Sequence, residues 1–293
     1  MVDVNVALAG WEKQLSLYDD ESDIARINAA AGTGGADIHS STAALLQQAL
    51  ALGEQSEGAF VVTIAPLTLA WGILSDRPRV VPDDEIEELL RLVDDGALTV
   101  SDDHATLEHT GMGIDLGGIA KGAACGLAKE IYSAQGVESA LLSIGGNVYA
   151  HGEKPDGSHF RIGFRDPRRE AGAYIASFTM KDEVIAVSGG YERFVELGGK
   201  RYIHIMDPRT GRPAESDIVS VGVIDPDGAT ADFYSTTLYV LGKERTLAFM
   251  RDGGKCLMLD AEGTLYVSEA LQDDLMLYED AGDYRVEFVP VGG

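Results

Sequence analysis

The stretch Asp115-Leu116-Gly117-Gly118-Ile119-Ala120-Lys121-Gly122 sets an acid, bare backbone positions and a lysine at the entrance of a helix expected to run to about Ala134. Chemically it suits a ligand that bears phosphate. The carboxylate can accept a ligand hydrogen bond, and the glycines let backbone approach closely. The lysine is a point charge, and a helix start offers N–H groups without intrahelical partners. No Gly-Lys-Ser/Thr follows at Walker A spacing and no G-x-G-x-x-G turn is present, so neither of those phosphate loops is implied.

Working outward from this stretch, helical patterns fill most of the first third. Residues 4–18 read as an amphipathic helix with Trp11, Leu15 and Tyr18, and residues 23–28 as a second, short one. Residues 41–52 form a strong helical pattern with Ser40 and Ser41 as caps. Pro82 suits a first helical turn, with Asp83-Asp84-Glu85 complementing the start of a helix that continues over residues 86–93. A hairpin is expected at residues 97–101 and 106–110. Beyond the glycine-rich stretch, strands are expected at 140–144, 160–164, 174–180, 184–187 and 219–224. A further hairpin turns on Gly198-Gly199. Helices follow at 231–241, stopped by Gly242, and at 245–250. A last hairpin turns around Glu262-Gly263, before a strand over 284–289. This mixture implies an α+β fold, mixed and antiparallel sheets packed with helices, rather than a regular βαβ array. No linker, repeat or low-complexity tract divides residues 1–293, so one domain is expected.

The formal net charge is −25, from 48 acidic and 23 basic residues. Such a surface disfavours non-specific binding to nucleic acid or anionic membrane. An anionic ligand must then be met by local positive groups or by a metal. Cys125 and Cys256 are the only cysteines, which makes neither a disulfide framework nor a zinc cluster. No stretch approaches the length of a membrane span, and no basic leader opens the sequence, so it reads as soluble with its compartment open.

Four further segments carry candidate chemistry. Ser143-Ile144-Gly145-Gly146-Asn147 brings a strand to a glycine corner, where the Asn147 amide both donates and accepts. Ser188-Gly189-Gly190-Tyr191-Glu192-Arg193 offers an aromatic ring for stacking and a guanidinium for phosphate or carboxylate. His204 ends a strand just before Asp207-Pro208-Arg209-Thr210-Gly211, at a junction of the kind where functional residues concentrate. Asp232 and Thr236 share one face at the opening of a helix and present hard oxygen donors suited to Mg2+. Each segment also has a plain structural reading as a turn, a cap or a surface charge. His104 and His109 are set aside as a metal pair, because they sit on a hairpin at the wrong spacing for one helical face.

In this order along nearly the whole chain, these segments resemble the ApbE-type flavin transferases. Ser16-Leu17-Tyr18, Gly58-Ala59-Phe60, Pro66-Leu67, Trp71-Gly72 and Val240-Leu241-Gly242 extend the match. Val61 and Gly190 depart from the pattern, where Asp and a polar residue are common. The resemblance implies Mg2+-dependent transfer of the FMN half of FAD onto a threonine of an acceptor protein, with release of AMP. It implies Asp115 and Lys121 as FAD contacts, and the Gly118 carbonyl with Asp232 and Thr236 as the metal site. His204 and Asp232 would be catalytic, with Ile205 and Met206 against the flavin nucleotide. Tyr18, Ala70, Trp71 and Gly72 would line the adenosine side, and Asn147, Ser188, Tyr191 and Arg193 complete the expected FAD contacts. Two alternatives keep the same site: a Mg2+-dependent FAD pyrophosphatase yielding FMN and AMP, and a FAD-binding protein without turnover. Family members are often exported and lipid-anchored, a signal this sequence does not carry.

Overall fold

The computed structural model describes residues 3–169, 172–278 and 284–292. They fall into two compact units, Val2–Ala120 with Glu192–Ala214, and Lys121–Tyr191 with Glu215–Gly293.

The first unit opens with helices α1 (Val4–Leu15) and α2 (Asp23–Ala29), the short strand β1 (Ala36–Asp37), and α3 (Ser40–Gly53), α4 (Ala65–Trp71) and α5 (Asp83–Leu90). Strands β2 (Leu98–Val100) and β3 (His104–Leu107) join β1 in an antiparallel sheet ordered β1-β3-β2. The start of α3 differs from the sequence expectation. His39, not a serine, is the N-cap, and it makes no side-chain cap bond. The buried Asp23 carboxylate at the start of α2 instead anchors the entry to α3, accepting the His39 N–H at 2.9 Å and the Thr42 hydroxyl. Pro82 likewise stands at the N-cap of α5 rather than inside its first turn. His104 binds Asp37 through Nδ1 at 2.8 Å, which gives it a plain structural partner.

The second unit begins with α6 (Ala120–Ala134) and strands β4 (Ser139–Ile144), β5 (Asn147–Gly152), β6 (Phe160–Arg165), β7 (Tyr174–Met180) and β8 (Glu183–Gly189). The chain then returns to the first unit for β9 (Phe194–Leu197), β10 (Lys200–Ile203), β11 (Met206–Asp207) and β12 (Arg212–Pro213). The second unit closes with β13 (Ile218–Asp225), α7 (Gly228–Leu241), α8 (Lys243–Arg251), β14 (Lys255–Asp260), β15 (Thr264–Ser268), β16 (Met276–Leu277) and β17 (Arg285–Val289). The expected α+β mixture is present. Strand β5 was not anticipated, because Gly145-Gly146 reads as a corner. The two glycines, at φ 54° and 99°, form a two-residue hairpin that sets Ile144 opposite Asn147.

A seven-stranded sheet, β17-β15-β14-β13-β8-β5-β4, organises this unit. All its neighbours are antiparallel except β15 and β17. Strand alternation sends Tyr149, Val184 and Ala186 to one face, against Cys125 of α6 and Ala231 of α7. Ile185, Ile224, Leu257 and Leu259 go to the other face. They pack there with Phe164, Ile175 and Phe178 of the three-stranded sheet β16-β7-β6. A strand covered on both faces needs an unbroken apolar run, which Cys256-Leu257-Met258-Leu259 supplies.

Helices α6 and α7 meet at a pair of glycines. A Cβ on Gly122 would lie 1.9 Å from the Gly228 oxygen, and one on Gly228 would lie 2.2 Å from the Gly122 oxygen. Backbone therefore meets backbone, and no side chain fits between. Gly122→Ala is expected to lower the unfolding free energy in urea by about 3 kcal/mol. Gly126→Ala, in the same helix with nothing within 4 Å of the new methyl, is expected to raise it by about 0.5–1 kcal/mol.

Candidate active site

The glycine crossing brings the first turn of α6 against Asp232, in the second turn of α7. The Asp232 side chain is 1% exposed. Its Oδ2 accepts the Gly122 N–H at 2.8 Å, and Lys121 Nζ lies 3.2 Å from Oδ1 and 3.3 Å from Oδ2. The sequence expectation treated Lys121 and Asp232 as parts of two different contacts, yet they form one ion pair. The Cys125 pKa is pushed up to about 12, first by desolvation and then by the Asp232 charge, with Lys121 opposing.

Hydroxyls hold the Asp232 backbone in place. Ser235 Oγ donates to the Asp232 carbonyl at 2.9 Å, and Ser188 Oγ lies 3.0 Å from Ser235 Oγ. Ser188, expected at a ligand, thus ties β8 to α7. Thr236 sits half-buried one turn beyond Asp232 on the same helix face. Tyr191 has its ring against Gly189, where a Cβ would come within 2.4 Å of Cε1, and the Arg165 guanidinium lies 5.5 Å from its centroid.

Asn147 is the most telling polar group of this unit. It opens β5, opposite Ile144 and two residues before Tyr149, so it projects to the sheet face that carries α6 and α7. It is fully buried, and neither its Oδ1 nor its Nδ2 has a hydrogen-bond partner among the described residues. The turn just before it backs onto the lysine, since a Cβ on Gly145 would lie 3.0 Å from Lys121 Cδ. An unsatisfied buried amide costs about 1–3 kcal/mol. An orphaned buried amide close to a cation–carboxylate pair is a candidate ligand contact.

In the other unit, Asp115 accepts the Gly117 N–H at 2.8 Å, and its own N–H bonds the Val62 carbonyl. Tyr18 is 59% exposed, and desolvation followed by the charge of Asp115 raises its phenol pKa. Ala70 is half-buried, while Trp71 is fully buried, donating Nε1–H to the Gly211 carbonyl at 2.9 Å and packing on Tyr202. Gly72 caps α4 in the left-handed conformation. The indole therefore holds the Asp207–Gly211 turn, leaving backbone and Ala70 as what this segment can offer a ligand. Arg209 clamps that turn through two bonds to Asp207, at 2.9 and 2.8 Å. Ile205 and Met206 are buried, and Met206 packs with Trp71.

His204, half-buried, follows β10 and faces the carbonyl of the exposed Arg193. Both the His204 N–H and Nδ1 lie 3.1 Å from that oxygen. A carbonyl only accepts, so Nδ1 carries the proton in the neutral ring and Nε2 is the basic nitrogen. Gly118 is half-buried, three residues ahead of Lys121 along the chain.

A sequence model of the ApbE family matches residues 3–258. The chain belongs to the ApbE family. An FAD:protein FMN transferase of Treponema pallidum is 34% identical over 265 residues, covering 85% of this chain and 73% of that protein. One from Vibrio cholerae is 33% identical over 237 residues, covering 80% and 71%. Among solved structures, the flavinyl transferase ApbE of Pseudomonas stutzeri in its apo form matches with a TM-score of 0.81 at 32% identity, over 91% of this chain and 85% of that one. The ApbE protein of Thermotoga maritima matches with a TM-score of 0.83 at 31% identity, over 91% and 89%.

Within this ApbE-family chain, Ser235 and the Gly122 N–H act on Asp232 without having been singled out. The i,i+3 spacing of Asp232 and Ser235 was the available signal for the hydroxyl. Nothing in the sequence signals the amide, because its partner lies 110 residues away.

Two outcomes are expected. Cys125 and Cys256, both buried, resist a thiol reagent at pH 8 in the native protein and react once guanidinium unfolds it. Asn147→Val removes the orphaned amide, so its unfolding free energy in urea stays level or rises by up to about 1 kcal/mol.

Proposed function

We propose that this chain is a Mg2+-dependent FAD:protein FMN transferase, acting on a threonine of an acceptor protein. The buried Asp232 carboxylate, already carrying a cation, supports this in a chain whose relatives are named for that activity.

The donors fit a hard divalent ion. Asp232 and Thr236 offer a carboxylate and a hydroxyl on one helix face. Among the described residues no three His, Cys, Asp or Glu side chains gather as a metal cluster. The remaining ligands would come from the Gly118 carbonyl that the resemblance assigns, from phosphate oxygens and from water, as is usual for Mg2+. When bound, the ion supplies charge neutralisation at the pyrophosphate.

The chain's own residues supply the rest. Lys121 adds positive charge for the phosphates, and Asp115 and Arg193 contact FAD. The Asn147 amide meets a hydrogen-bonding edge of the ligand, the partner it lacks within the fold. His204, with Nε2 as its basic nitrogen, takes the proton of the acceptor hydroxyl. The threonine oxygen bonds to the FMN phosphorus, the bond to the AMP oxygen breaks, and AMP leaves.

Incubation with FAD, Mg2+ and a candidate acceptor is expected to add one FMN to an acceptor threonine by mass spectrometry, with matching AMP. Rapid FMN and AMP release with no change in acceptor mass would instead make the protein a hydrolase. Asp232→Ala is expected to lose at least about 100-fold in rate. Full activity in that variant would remove Asp232 from the metal site. Asn147→Val is expected to weaken FAD binding at least about tenfold, as for a lost buried hydrogen bond.

A further inference from the structure

Lys121 pairs with Asp232, the carboxylate proposed above to hold the metal. Its Nζ lies 3.2 Å from Oδ1 and 3.3 Å from Oδ2, while the Gly122 N–H takes Oδ2 at 2.8 Å. With Asp232 1% exposed and Lys121 32% exposed, the ammonium is the partner that reaches solvent. A divalent ion and an ammonium cannot share one buried carboxylate, because repulsion within a few ångströms is strong in a poorly solvated site. Lysine carries its charge on a flexible stem and can turn aside without backbone movement. Its stem already lies along Gly145, at the turn that leads to the unpartnered Asn147 amide.

We propose that Lys121 is an exchangeable counter-ion, which neutralises Asp232 in the metal-free protein and yields it to Mg2+, turning its ammonium toward the anionic ligand. The exchange depends on Asp232 being the metal ligand proposed above. It couples the two binding events. Metal loading releases an ammonium that the phosphates of the ligand then receive, so each favours the other, and by linkage to the same degree. It also gives the metal-free protein a paired carboxylate, where an unpaired buried charge would be strongly destabilising.

The test is titration of nucleotide-free protein with Mg2+ alone, followed by calorimetry and by thermal unfolding. Lys121→Met is expected to bind Mg2+ at least tenfold more tightly than the unsubstituted protein and to gain more in Tm. Lys121→Arg, which keeps a cation on Asp232, is expected to bind no more tightly than the unsubstituted protein. Adding Asp232→Asn to Lys121→Met is expected to abolish the gain. If Lys121→Met does not fold without metal, Lys121→Gln carries the same expectation, since it keeps a donor and removes the charge. Equal or weaker Mg2+ affinity in the uncharged variants, still lost with Asp232→Asn, overturns the exchange and leaves the metal assignment standing. Absence of any Asp232-dependent Mg2+ binding overturns both.

Discussion

Burial of the Asp232 carboxylate is the constraint around which the second unit is arranged. A carboxylate taken out of water costs several kcal/mol unless hydrogen bonds and a counter-charge replace its hydration. The Gly122 amide and the Lys121 ammonium supply both. They reach Asp232 because α6 and α7 meet at Gly122 and Gly228, where any side chain would collide with backbone. The stretch that opens α6 is therefore glycine-rich for a packing reason as much as a chemical one. The same contact that lets the helices meet delivers an N–H to the acid.

Some of the surrounding residues hold this arrangement, and the Asn147 amide is left unsatisfied by it. Ser188 and Ser235 hold the Asp232 backbone, and the wide sheet under α6 and α7 keeps their first turns in place. Asn147 rises from that sheet with its amide unsatisfied among the described residues, a cost that the proposed ligand contact would offset. In the other unit the Asp207–Gly211 turn is held by Trp71 and by the Arg209 clamp, while the ring of His204 is aimed by the carbonyl of Arg193. In the proposed reaction, a chain of net charge −25 would receive an anionic substrate through a few local cations and a metal ion, not through its overall field.

Much of the fold was legible because its periodicities are strong. Residues 41–52 became Ser40–Gly53, and the helix after the glycine-rich stretch ends at Ala134 as expected. The errors fell where a distant partner decides the local structure. The start of α3 is fixed by Asp23, 16 residues upstream, and not by its own serines. Strand β5 was hidden because a glycine pair can end a strand or turn a hairpin, and the choice depends on pairing with β8. Among the candidate residues, residue types singled out Lys121 and Asp232, which the fold joins in one ion pair, and Asn147, whose amide it leaves unsatisfied. Motif order could not tell that Trp71 and Ser188 also have partners within the fold, since an indole or a hydroxyl looks alike whether its partner is a ligand or another part of the chain.

Anomalous X-ray scattering from crystals loaded with Mn2+ and FAD tests most directly whether Asp232 is the cation carboxylate of this enzyme family member. One peak is expected at about 2.2 Å from an Asp232 carboxylate oxygen, with the Thr236 hydroxyl also in its coordination shell and Lys121 displaced from the carboxylate. A nucleotide-associated peak coordinated elsewhere, with Lys121 still paired to Asp232, would contradict it.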